Sequence, residues 1–82
     1  MKTAKSWGKS MFYLYDSEKD TTVKVAIYSD SVEPEINVFR FKFENFDTDN
    51  RYIEITEKEF KKALNKAIKQ IKQVLNEQAT HD

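Results

Sequence analysis

The chain has no cysteine, one glycine, one proline and a single histidine in its 82 residues. Each shortage closes a line of chemistry. Without cysteine there is no disulfide framework and no thiolate nucleophile, and the composition suits a reducing compartment, so a cytoplasmic location is expected. One glycine, Gly8, cannot build a phosphate-cradling loop. His81, the only histidine, is the penultimate residue and reads as part of a tail rather than as a general base. No apolar stretch approaches the ~18 residues of a membrane span. The basic start runs into Ser6-Trp7-Gly8-Lys9, where a signal peptide would need an apolar run.

Two absences concern sites. Asp47 and Asp49 have calcium-like spacing, but the surrounding segment lacks the turn glycine and the closing bidentate Glu of a full loop. It reads as a hairpin loop with solvated acids. His and Cys are too few for a zinc set, and no serine has a base near it in a recognisable pattern. The chain is therefore read as non-enzymatic, with no metal and no cofactor.

Charge is present in balance but not evenly spread. Fourteen basic residues meet fourteen acidic ones, yet residues 1–15 carry three Lys and no acid. Residues 16–59 hold twelve acids against six bases, and residues 60–82 return to five bases against two acids. A zero net charge thus hides an acidic middle between basic ends. That tells against a dedicated duplex-DNA binder, as does the presence of only two arginines, Arg40 and Arg51.

The strongest local signal is Thr56–Leu75. Thr56 with Glu59 three residues on forms a capping box. Behind it, Phe60, Ala63, Leu64, Ala67, Ile68, Ile71, Val74 and Leu75 recur at helical spacing. Lys58, Lys61, Lys62, Lys66, Lys69 and Lys72 occupy the opposite side, chiefly as a solvated face. Four runs with strand patterning precede it: Met11–Tyr15, Thr22–Tyr28, Asn37–Phe43 and Arg51–Ile55. Their polar connectors, residues 16–21, 29–35 and 44–50, are too short for parallel crossovers. The expected fold is α+β: a four-stranded antiparallel meander followed by one long C-terminal amphipathic helix on one sheet face (ββββα). Residues 1–10 read as an arm, 11–77 as a single domain and 78–82 as a tail.

With the Val, Ile and Phe sides turned inward, Phe12, Leu14, Val23, Val25, Ile27, Phe39, Phe41, Phe43, Ile53 and Ile55 form the core. All four tyrosines then fall on the outer face, since a hydroxyl must reach water or a partner. The candidate partner-binding set is Tyr13, Tyr15, Lys24, Tyr28, Arg40, Lys42 and Tyr52. Tyrosine and arginine give large contact area at small entropy cost, so the first expectation is a protein–protein interaction module, an inhibitor or adaptor. The alternative is single-stranded nucleic acid, with rings under bases and cations along the backbone. In layout alone, the meander and helix are similar to the repeat unit of Whirly-type single-strand-binding proteins, which implies the same alternative.

A last expectation concerns length. A helix to Leu75 would overrun strands of five to seven residues, leaving Ile71, Val74 and Leu75 to be covered. The cover would be Trp7 from the arm or a second copy in a homodimer.

Overall fold

The computed structural model describes residues 1–29 and 31–81, the side chains of residues 78–81 excepted. Of the expected tail, those side chains and Asp82 lie outside the described residues. The capping box forms as read. The Glu59 amide donates to Thr56 Oγ1 at 3.0 Å, and the Thr56 amide donates back to Glu59 Oε1 at 3.3 Å. Helix α1 (Glu57–His81) follows, with Glu57 and Glu59 in its first turn, where acids favour the positive end of the helix dipole.

The sheet has five strands: β1 (Lys2–Trp7), β2 (Met11–Asp16), β3 (Thr21–Ala26), β4 (Glu35–Phe39) and β5 (Tyr52–Ile55). All neighbours are antiparallel and the spatial order is β4-β3-β2-β1-β5. Four strands make the expected meander, with α1 packed on one face. The meander is β1 to β4, however, and β5 adds to its far side. Residues 2–7, read as an arm, are an interior strand flanked by β2 and β5. Gly8, at φ 62°, supplies the left-handed residue in the turn that sends the chain from β1 into β2.

Cross-strand partners share a face, so the register assigns every side chain. Ile55, Ala4, Leu14, Val23 and Val38 form one row on the helix side. Ile53, Ser6, Phe12, Val25 and Ile36 form the next. Ala4, Val25, Phe60 and Ala67 are the buried centre, with Phe12, Leu14, Val23, Ile27, Ile36, Ile55 and Leu64 packed around them. Ile53, expected in the core, is 57% exposed because it sits on the β5 edge.

The phenylalanines correct the expected facing. Thr22 pairs with Phe39, which puts Phe39 on the face away from the helix and Ile36 and Val38 on the helix side. One residue of slip inverts a whole strand. β4 ends at Phe39, so the connection to β5 is residues 40–51, about the dozen that a crossover needs. β4 and β5 run in the same direction at opposite edges, and this connection joins them across the outer face of the sheet. The molecule therefore has three layers: helix, sheet and a strap of irregular chain.

Candidate functional site

The strap is built to stay down. Phe46, at its middle, is 1% exposed. Its ring lies 5.4 Å from Tyr52 and 6.3 Å from Tyr15. Phe43 meets Tyr13 edge-on at 5.2 Å and Phe39 at 5.0 Å. Asn45, at φ 61°, turns the chain, and the Thr48 and Asp49 amides donate to its carbonyl. Polar anchors hold both sides. Thr22, completely buried, donates its hydroxyl to the Phe41 carbonyl at 2.7 Å. Lys5 Nζ donates to the Phe46 carbonyl at 2.5 Å, lies 4.7 Å from the Phe46 ring centre and stands 3.8 Å from Asp47.

This layer decides what the predicted partner-binding residues do. Tyr13 is 4% exposed beneath the strap, so it is a core residue of the outer layer and not a contact surface. Burial, with Tyr52 and Tyr28 nearby, pushes its hydroxyl pKa up. Tyr15 is half-buried and donates to Asp20 Oδ1 at 2.8 Å, a bond that raises its pKa. Tyr52 is half-buried against Trp7 at 4.6 Å, and burial raises its pKa as well. Lys24 is half-buried between Tyr13 and Asn37 in the neighbouring strands. Lys42 is exposed, pairs with Asp47, and sits 5.2 Å from the Tyr15 ring centre. Arg40 and Tyr28 are exposed. The structure brings Tyr13, Tyr15 and Tyr52 together as the seat of the strap, with Lys42 in the strap above them, and leaves Arg40 and Tyr28 exposed.

Trp7 belongs to the same layer. It lies on the face away from the helix, against Tyr52, with the Arg51 guanidinium 4.5 Å from its ring centre. It cannot cover the helix end. The acidic loop is likewise committed to this chain: Lys42 holds Asp47, and Arg51 holds Asp49 through a two-pronged contact at 2.7 to 3.2 Å. These cations hold both carboxyls below the usual carboxylate range. Among the described residues no group of His, Cys, Asp or Glu is gathered as for a metal ion. No helix among them is long and apolar enough to cross a membrane.

The open concave surface lies on the helix side. A groove of about 790 Å³ runs between α1 and the ends of β2 and β3. Phe12, Ile27 and Ala63 give it an apolar floor, and Tyr28 stands at its edge. Lys9 comes from the turn after β1, and Lys62, Lys66 and Lys69 from one side of α1. Glu59 is the single acid among the lining residues. Spacings of four and three residues bring the helix lysines to one side. The lysine stripe was legible in the sequence, but the position of Lys9 opposite it was not, because that depends on residues 2–7 being a strand. Compared with family models, with curated proteins and with solved structures, the chain matches none.

Proposed function

We propose that this chain is a non-catalytic binding module that takes another protein, in the manner of an inhibitor or adaptor, through the lysine-rimmed groove. The observation that carries the reading is the pairing of an apolar floor with four lysines in one open concavity. Such a surface fits a partner segment that alternates apolar side chains with carboxylates. The apolar groups would lose water against Phe12, Ile27 and Ala63, and Lys9, Lys62, Lys66 and Lys69 would meet the acids. Tyr28, from the tyrosine set, supports the reading at the groove edge, where a ring adds contact area at small entropy cost. A cytoplasmic setting goes with this proposal, on the lack of cysteine.

Single-stranded nucleic acid is the second reading, supported by the same lysines and Tyr28. It ranks behind because Tyr13, Tyr15 and Tyr52, the rings that would stack bases, are occupied by the strap.

Fluorescence anisotropy with three probes tests this: an acidic amphipathic peptide, polyglutamate of equal length, and oligo-dT. The amphipathic peptide should bind most tightly, and Lys66→Glu with Lys69→Glu should weaken it at least about tenfold with an unchanged melting temperature. Equal binding of polyglutamate would remove the role of the apolar floor. Tighter binding of oligo-dT, falling steeply with salt, would put the second reading first.

A further inference from the structure

We propose that two copies of this chain pair edge to edge through β4, each helix end lying over the partner's sheet. This stands apart from the groove, whose lining residues it does not use. β4 is an edge strand, so one row of its backbone N–H and C=O groups faces away from β3. Edges of this kind are guarded in most proteins by an inward charge, a bulge or a proline within the strand. β4 has none of these between Ile36 and Phe39, and Pro34 stands before its first residue. Val38 is 58% exposed on the helix side of this edge, outside the packed cluster that takes in its neighbour Val23.

The segment is complementary to itself. Reading Glu33-Pro-Glu35-Ile-Asn-Val-Phe-Arg40-Phe-Lys42, acids precede the strand and cations follow it. Antiparallel pairing about Asn37 sets Ile36 opposite the second copy's Val38, and lays the acidic end of each segment along the basic end of the other. Both Ile36 and Val38 point to the helix side, so the apolar rows of the two sheets join without a break. A two-fold axis normal to the sheet also puts both helices on one face.

The helix supplies the second argument. It starts at the β5 side, where Lys2 reaches Glu57 at 3.6 Å, and packs across β1, β2, β3 and β4. Its 25 residues span about 37 Å at 1.5 Å each. Five strands span only about 19 Å between edge axes at ~4.8 Å spacing. The molecule is accordingly 47 Å long against 25 and 21 Å in the other directions. Leu75, in the overrun, is 62% exposed, and Trp7 is on the wrong face to shield it. Pairing at β4 sets each overrun above the neighbouring copy, where Val38 is bare. The β5 edge also bares an apolar residue, Ile53, but it is four residues long, carries the exposed Glu54, and the helix starts there instead of overrunning it.

Sedimentation velocity over a wide concentration range reads the outcome directly. The expected result is conversion from the 9.7 kDa chain to a species of twice that mass. Arg40→Glu makes both ends of the segment acidic and should weaken the pair severalfold at low salt, and less as salt is raised. Val38→Lys should abolish the pair with the far-ultraviolet spectrum unchanged. A single monomeric species at every concentration overturns the proposal, whether or not another protein later proves to add to the β4 edge. A dimer indifferent to Val38→Lys overturns it as well.

Discussion

At the scale of residues, stability concentrates in a few groups that tie the strap to the sheet. Phe46→Ala removes a ring that is 1% exposed and should cost about 3–5 kcal/mol in urea unfolding. Thr22→Val keeps the shape but leaves the Phe41 carbonyl without its donor, and should cost about 1–3 kcal/mol. Acid should loosen the same layer. Lys42 and Arg51 lower the pKa values of Asp47 and Asp49 in the folded state. A lowered folded pKa gives stability that is present above the unfolded value, ~3.9, and is lost as pH falls through the folded one. Asp47→Asn with Asp49→Asn should therefore flatten the stability–pH curve below about pH 4, measured by urea unfolding at a series of acid pH values. An unchanged acid slope would show that other carboxylates set it.

At the scale of elements, legibility tracked the size of the side chains. The helix was plain because its capping box and its apolar period agree. β3 and β5 were plain because large apolar residues alternate in each, and β2 because it is apolar and aromatic throughout. β1 was hidden because its helix-side residues are Ala4 and Ser6, both small. Ala4 is 5% exposed and packs in one cluster with Phe60 and Ala67, so its smallness is what lets the helix come close. Ala4→Leu should then overpack the site, at about 1–3 kcal/mol in urea unfolding, although leucine is the more apolar residue. β4 misled for the opposite reason. The alternating Phe39, Phe41 and Phe43 continue strand patterning past the point where the chain leaves the sheet. Those rings serve the strap, meeting one another at 5.0 to 5.5 Å on the outer face. Continuation of the aromatic run to Phe46 was the one available signal that the supposed loop buries something.

At the scale of the whole molecule, a chain short enough to support only one modest core has made two thin ones, one on each side of the sheet. The tyrosines that set the outer face apart in the sequence are the wall of the second core. Their hydroxyls are accommodated at its margin, as with Tyr15 on Asp20 and Tyr13 beside Met11. The candidate surface moved accordingly from the flat of the sheet to the angle between sheet and helix, which only the assembled topology reveals.

The place of β5 beside β1 has a consequence in time. Hairpins β1–β2, β2–β3 and β3–β4 need only nearby chain, whereas Ala4 must wait for Ile55 and Ser6 for Ile53. Closing so long a loop is slow relative to forming a hairpin, so the meander should be assembled at the folding barrier and β5 docked after it. Ile55→Val would then leave the refolding rate nearly unchanged and quicken unfolding, while Val25→Ala in the meander would slow refolding. Stopped-flow chevrons for the two variants separate these limbs. During synthesis, residues 2–7 would stand with one side unpaired until residues 52–55 had left the ribosome, the interval in which a nascent chain is most open to capture by another strand.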